Sequence, residues 1–309
     1  MSSIWITGGK GFIGRHLAQF VAGNSQTVHG LGHGAWVEDE FSACGFKSWL
    51  NAEIDFASLS HLAASSGLPD IIFHLAGGSA VGPSIQNPYE DFQRTVETTA
   101  RLLEWVRQHS HQTRVIGASS AAVYGSGFST PIPENTHAMP FSPYGFHKAM
   151  LEKLFDSYRE TYGLKLGIVR LYSIYGPGLE KQLLWDICQK LEKSANGEIL
   201  LHGTGQELRD WLHIKDTCSL LWKVATLPDL PQVINGGTGK STSIFDIAHL
   251  VSDAWGEKHK VVFNGIGRKG DPASLVADTT LSQQLGYTPS INIQDGIKGV
   301  VHWYRERSR

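Results

Sequence analysis

Two residues four positions apart, Tyr144 and Lys148, have the types and spacing for proton chemistry. On a helix that spacing puts the phenol and the ammonium on one face, a turn apart. An ammonium beside a phenol favours the phenolate and draws its pKa toward working pH, which suits a general acid or base. A third group, Ser120, lies in Ser119-Ser120-Ala121-Ala122-Val123-Tyr124-Gly125, at the end of an apolar strand. Its hydroxyl can hydrogen-bond the same substrate oxygen. The tyrosine–lysine spacing is common in helices and alone reads as structure, so its weight depends on what surrounds it.

What surrounds it begins at the chain's start. Thr7 to Gly14 reads T-G-G-K-G-F-I-G, between an apolar strand at Ser3–Ile6 and a short amphipathic helix at Arg15–Val21. Gly8 can take a tight turn with positive φ, Gly11 lets backbone approach a pyrophosphate, and Gly14 lets helix pack on strand. The helix start adds unpaired N–H groups and the positive end of its dipole. A glycine turn in this context predicts a dinucleotide site. A nicotinamide cation there would add to the pull of Lys148 on the Tyr144 proton.

The elements that must position these groups alternate. Strands are expected at Thr27–Leu31, Ile71–Leu75, Arg114–Ser119 and Lys165–Leu171, and helices at Tyr89–His109 and Tyr144–Tyr162. Between Ala76 and Ser84 lies a glycine-rich loop. Strands alternating with helices predict an α/β fold with a doubly wound parallel sheet, whose ligands lie at the carboxyl edge of the strands. After Gly176-Pro177-Gly178 the pattern becomes irregular, which predicts a second, smaller lobe. The 309 residues, 41% hydrophobic with a net charge of −2, fit such a fold and give no sign of disorder or of nucleic-acid or membrane-surface binding. The 14 histidines are scattered and read as solvated or structural, and three distant cysteines suggest neither disulfides nor zinc, so no metal is expected. No signal segment precedes the first strand and no apolar run reaches spanning length, so a soluble cytoplasmic protein is expected.

The chain resembles an extended short-chain dehydrogenase/reductase of the nucleotide-sugar epimerase, dehydratase and reductase family, over nearly its whole length. The residues that carry this are the glycine turn, His74-Leu75-Ala76, the Ser119–Gly125 stretch, Ser142-Pro143-Tyr144 with Lys148, and Arg170 to Pro177. Further on come Gly203 to Asp216, Asn235-Gly236-Gly237, Arg268-Lys269-Gly270-Asp271 and Ala277-Asp278. The resemblance implies a Rossmann-type dinucleotide-binding domain over 1–172 plus about 213–245, and a substrate-binding lobe over about 173–212 plus 246–309. It implies that Ser120, Tyr144 and Lys148 are catalytic. The dinucleotide would contact Gly8, Gly11, Phe12, Ile13, Gly14, Gly32, His33, Leu75, Ala76, Tyr144 and Lys148. A nucleoside-diphosphate sugar would meet Ser79, Ser120 and Ser173, with Arg209 and Arg268 on its diphosphate, a role that suits the planar guanidinium fork. The family also implies a homodimer.

Departures from the family pattern narrow the reaction. NAD-using members place an acidic residue at the end of the second strand; here that position is Gly32, followed by His33. Loss of that carboxylate, with a histidine able to donate, favours NADP(H), with NAD(H) the alternative. Members that dehydrate a hexose carry an Asp-Glu pair where this chain has Ala121 and Ala122, which transfer no proton, so 4,6-dehydration is not expected. Thr95 and Ser173 stand where relatives often have asparagine; a threonine can bond back to its own helix. The expected activity is NADP(H)-dependent reduction of a nucleotide-linked 4-keto-6-deoxyhexose in nucleotide-sugar and surface-polysaccharide biosynthesis, with Tyr144 as general acid. The alternatives are an NAD-dependent 4-epimerase and, on the same fold, a non-catalytic dinucleotide-sensing protein.

Overall fold

Short apolar strands and amphipathic helices alternate through the computed structural model, which describes residues 2–194, 197–256, 259–267 and 272–307. The elements up to the irregular region are β1 (Ser3–Thr7), α1 (Phe12–Gly23), β2 (Thr27–Gly32), α2 (Glu38–Ala43), β3 (Ser48–Asn51), α3 (Phe56–Ser66) and β4 (Ile71–His74). There follow α4 (Val81–Gln86), α5 (Pro88–Phe92), α6 (Thr98–His109), β5 (Arg114–Ser120), α7 (Pro143–Tyr162) and β6 (Lys165–Leu171). Then come β7 (Ser173–Tyr175), α8 (Gln182–Lys193), β8 (Glu198–Leu201), β9 (Leu208–Arg209), β10 (Trp211–His213), α9 (Ile214–Thr226) and β11 (Val233–Gly236). Last are β12 (Thr242–Ser243), α10 (Ile244–Trp255), β13 (Lys260–Phe263), β14 (Ser274–Leu275), α11 (Thr280–Gln284) and α12 (Ile293–Arg307).

The chain divides into two compact units, the first made of 1–125, 136–171 and 218–234 and the second of 126–135, 172–217 and 235–309. Segments 126–135, 213–217 and 235–245, which the sequence reading assigns to the first, cluster with the second.

In the first unit the sheet runs β11-β6-β5-β4-β1-β2-β3, and the pairs from β3 to β6 are parallel. Its strands are buried on both faces, as Ile4, Ile6, Ile72, Val115, Ile116 and Ile168 show, which is why they read as apolar runs rather than alternating ones. Trp5 and Trp105 pack at 5.4 Å in a core completed by Leu102, Val106, Leu151 and Phe155 from the covering helices. The doubly wound parallel sheet is the fold expected from the sequence.

Two helices depart from expectation. Helix α1 begins at Phe12 rather than Arg15, because Gly11, extended at φ −69° and ψ 170°, takes the N-cap position inside the glycine turn. The expected helix Tyr89–His109 is three pieces: α5, a π turn over Gln93–Glu97, and α6. The π turn carries Thr95, fully buried, and π turns within helices are frequent at functional sites.

The second unit has its own core, in which Tyr175, Ile187 and Leu191 pack with Val251, Trp255, Val301 and Tyr304 from α10 and α12. Short strand pairs serve it in place of a large sheet: β7 with β10, β8 with β13, and β9 between β12 and β14. Buried Asp210 accepts from Thr238 N, Thr238 Oγ1, Gly239 N and Ala277 N at 2.7–3.1 Å, so one carboxylate anchors two loops.

Candidate active site

The glycine turn is built for close approach. Gly8 sits at φ +69°, and a Cβ there would meet the Ala76 backbone nitrogen at 2.8 Å. A Cβ on Gly14 would lie 2.6 Å from the carbonyl oxygens of both Gly8 and Gly9. The turn is pinned by Gly8 N to Leu31 O at 2.9 Å and Gly11 N to Gly8 O at 3.0 Å. Helix α1 has no side-chain cap and no acidic residue in its first turn. Its first N–H groups therefore have no side-chain cap, and a pyrophosphate fits that donor set.

Beside the turn, β4 ends in His74. Its Nδ1 pairs with Thr7 Oγ1 at 2.8 Å and its Nε2 with Thr99 Oγ1 at 3.0 Å. Complete burial and the charge of Lys148 hold the imidazole down at about 3, so it is neutral. His74 fixes the edge from which Leu75, Ala76 and the glycine-rich loop depart. In that loop Gly78 N donates to Thr95 Oγ1 at 2.8 Å. Thr95 thus accepts across from the loop; in the helix that follows, Thr98 and Thr99 bond back, to Arg94 O and Thr95 O. Ser79, in the same loop, is exposed.

Ser120, Tyr144 and Lys148 come together at the carboxyl edge of β5. Ser120 caps a short 3-10 turn over Ala121–Val123, accepting from Ala122 N at 3.2 Å. Ser142 caps α7 with Gly145 N donating to its Oγ at 3.2 Å, and Pro143 opens the first turn. A Cβ on Gly145 would lie 2.7 Å from Ala122 O, so this glycine lets α7 close on the turn and brings the Tyr144 phenol into a hydrogen bond with Ser120. The backbone of Tyr144 is held from the other side, N to Ser84 Oγ at 3.0 Å.

The electrostatics correct one expectation. Burial pushes the Tyr144 phenol up, the Ser120 hydrogen bond opposes that, and the charge of Asp91 adds to it. Lys148 donates to Ala118 O at 2.9 Å and sits 5.9 Å from the Tyr144 ring centre, and it does not bring the phenol down in the chain by itself. Burial lowers Lys148 to about 8 against the support of Asp91 and Glu152. Beneath it, Glu152 takes a two-pronged hydrogen bond from Arg170, at 2.9 and 2.7 Å, and a third from Ser119 Oγ at 2.6 Å. Arg170 also donates to the Tyr124 hydroxyl at 2.9 Å.

At the end of β2, Gly32 is followed by an exposed His33 whose Nε2 lies 3.6 Å from a Glu53 carboxylate oxygen. A carboxylate from the chain after β3 thus lies beside His33, which is not an unopposed donor for a 2′-phosphate. Lys10 of the glycine turn also reaches this place, donating to Ala35 O at 2.5 Å with its ammonium 5.8 Å from the Trp36 ring centre.

In the second unit, Ser173 pairs with Trp211 between β7 and β10. Arg209 donates to the carbonyls of Leu208 and Pro272 at 2.8 and 2.7 Å. Arg268 lies outside the described residues. Among the described residues no group of acidic, histidine or cysteine side chains could hold a metal, and no helix is long and apolar enough to cross a membrane.

Sequence reading missed Gly145, Lys10 and a buried pair, His147 Nδ1 to Asp91 Oδ2 at 2.6 Å. The signal for the pair was a histidine between Tyr144 and Lys148 on the face that α7 buries.

Residues 4–237 match the NAD dependent epimerase/dehydratase family. YtcB, an uncharacterized UDP-glucose epimerase of Bacillus subtilis, is 29% identical over 307 residues that cover 95% of each chain. The UDP-glucuronic acid 4-epimerase of Bacillus cereus, solved with UDP-glucuronic acid and NAD, superposes with a TM-score of 0.87 at 26% identity over 99% of each chain. The UDP-glucose 4-epimerase of Thermotoga maritima, solved with UDP-glucose, has the same fold, with a TM-score of 0.88 at 24% identity over 99% of this chain and all of that one. With its glycine cradle, its parallel sheet and this match over most of its length, the chain belongs to the NAD dependent epimerase/dehydratase family of enzymes.

Proposed function

We propose that this enzyme is an NAD-dependent nucleotide-sugar 4-epimerase. The observation that carries the reading is the Ser120–Tyr144–Lys148 group at the carboxyl edge of β5 with Ala121 and Ala122 beside it. That set can move one proton on one sugar oxygen, as epimerisation at C4 requires, but has no second acid–base pair there for expelling water. The UDP-sugar epimerase relatives support it over the 4-keto reductase, and the NAD in the Bacillus cereus 4-epimerase supports NAD over NADP.

Gly8, Gly11 and Gly14, with the backbone of Phe12 and Ile13, hold the dinucleotide pyrophosphate in this reading. Gly32 and His33 face its adenosine end, and Leu75, Ala76, Tyr144 and Lys148 its nicotinamide half. When bound, the cofactor supplies a hydride acceptor that can return the hydride. Tyr144 takes the proton from the sugar 4-hydroxyl and gives it back to the same oxygen when a hydride has been returned to the opposite face of the keto sugar. Ser120 hydrogen-bonds the same oxygen, and Lys148 keeps a positive charge near the phenol. Arg209 and Arg268 grip the diphosphate of the sugar nucleotide, while Ser79 and Ser173 contact the sugar. The first unit serves as the dinucleotide-binding domain, the second reads base and sugar, and the enzyme works in the cytoplasm as a homodimer.

One observation favours a second reading. Gly32 carries no carboxylate and Lys10 brings an ammonium to the same turn, which suits NADPH and a 4-keto reductase. Incubation with UDP-glucose, UDP-glucuronic acid and UDP-N-acetylglucosamine separates the two. The epimerase inverts C4 of one of these with no net use of reduced cofactor. If none is converted, and NADPH is oxidised only with a 4-keto sugar nucleotide, the reductase takes its place.

A further inference from the structure

Tyr144, His147 and Lys148 lie three and four residues apart, and the imidazole and ammonium are both buried in the face that α7 turns inward. His147 is 9% exposed and Asp91, arriving from α5, is 7% exposed. Their contact of 2.6 Å requires the proton on His147 Nδ1, donated to the Asp91 carboxylate. The other Asp91 oxygen presses on the loop after β4: a Cβ on Gly78 would lie 1.9 Å from Oδ1. At the neighbouring Gly77, a Cβ would lie 3.4 Å from Lys148 Nζ. A buried carboxylate is therefore wedged between a histidine that holds it and the loop segment that meets the lysine ammonium.

A tie between two helices does not need a charge. Burying a carboxylate is costly and one hydrogen bond only partly offsets that cost, whereas an apolar pair of similar volume would join α5 and α7 as well. A charge kept in so dry a place acts on the other ionisable groups there, since the local dielectric screens it weakly.

We infer that Asp91, held by His147, is a positioning residue whose carboxylate sets the proton balance of Tyr144 and Lys148. This rests on the proposed role of Tyr144 in proton transfer. The groups that face this pair are Ser120 from the end of β5, Asp91 from α5, and His74, neutral, from β4. From α7 itself come Lys148 and Glu152, the latter paired with Arg170 and supporting the charge of Lys148 alone. Asp91 is the anion among them that raises both the phenol and the ammonium. It supports the charge of Lys148 against burial, and it adds to burial in holding the proton on Tyr144.

The test is a titration of the Tyr144 phenol by ultraviolet difference absorbance, with Tyr144→Phe as the blank. It needs no substrate, so its outcome is independent of the sugar assignment. Asp91→Asn, which keeps the hydrogen bond from His147 and removes the charge, should move the phenol titration to lower pH by roughly half a unit or more. In turnover assays both limbs of the pH profile should move to lower pH together. A titration that stays in place while activity falls equally at every pH would make Asp91 a structural tie and overturn the inference. Asp91→Ser, smaller and still able to accept from His147, gives the same two outcomes should the asparagine variant fail to fold. A moved titration in a protein that inverts no UDP-sugar would leave this inference standing and remove the epimerase reading.

Discussion

Tyr144 owes its place to a neighbour with no side chain. Gly145 lets α7 approach Ala122 O, and only then do the phenol and Ser120 meet. The phenol in the protein alone is pushed up by burial, so the lysine at i+4 is not sufficient to activate it. In the proposed mechanism the positive charge of the bound nicotinamide supplies the rest. Tyr144→Phe should lower turnover about 10²- to 10⁴-fold while leaving dinucleotide affinity within a factor of about three, read by steady-state kinetics and by quenching of tryptophan fluorescence. Turnover close to the wild type's would remove Tyr144 from the mechanism. Arg209 already donates to two backbone carbonyls, which fixes its side chain as an anion-binding group must be fixed. Arg209→Lys should raise KM for the sugar nucleotide more than it lowers kcat, because an ammonium loses the two-pronged grip on phosphate. A change confined to kcat would place Arg209 elsewhere in the reaction.

At the scale of elements, β1, the glycine turn and α1 act as one device. Gly14→Ala would drive a methyl group into two backbone oxygens. The expected cost is about 2 kcal/mol or more in chemical denaturation, together with loss of retained dinucleotide; unchanged stability and cofactor content would mean that the turn adjusts. His74 links β4 to Thr7 and Thr99 as a neutral imidazole. Its folded value, about 3, lies below its ordinary 6.5, so between these values the unfolded chain binds more protons. Acidification through that window should cost about 1.4 kcal/mol per pH unit from this one residue, and stability from it is complete above the window. His74→Asn should flatten that slope in pH-dependent denaturation, and an identical slope would assign the acid sensitivity to other groups. Much of this scale was legible in the sequence. The strands read as continuous apolar runs because both sheet faces are covered, and the turn reads as glycines because backbone meets backbone there. The π turn at Gln93–Glu97 and the crossing of Thr95 to Gly78 were not legible, because both depend on a loop distant in sequence. The setting of Gly32 was not legible either, for a similar reason: Glu53, beyond the next strand, brings a carboxylate to the side of His33.

On the scale of the whole molecule, the glycine turn belongs to the first unit and Arg209 and Ser173 to the second. Base and sugar preference therefore resides, in the proposed function, in the irregular segments, where periodicity carries least information. The α4, α5 and α7 helices pack on one another and leave Ile85, Tyr89, Phe146 and Met150 between 45% and 68% exposed. An apolar set of this kind fits the proposed homodimer. Tyr89→Glu combined with Phe146→Glu should halve the mass seen by sedimentation, whereas an unchanged mass would place the interface elsewhere. The central claim is inversion at C4 with the cofactor returned to its starting state. The most direct test is proton NMR of UDP-glucose, UDP-glucuronic acid and UDP-N-acetylglucosamine incubated with purified enzyme, with its bound dinucleotide identified and counted before and after. The account predicts that one of these sugars reaches an equilibrium mixture of 4-epimers over many turnovers while bound NAD is neither consumed nor released in reduced form. No 4-epimer from any of them, with NADPH consumed mole for mole when a 4-keto sugar nucleotide is added, would contradict it.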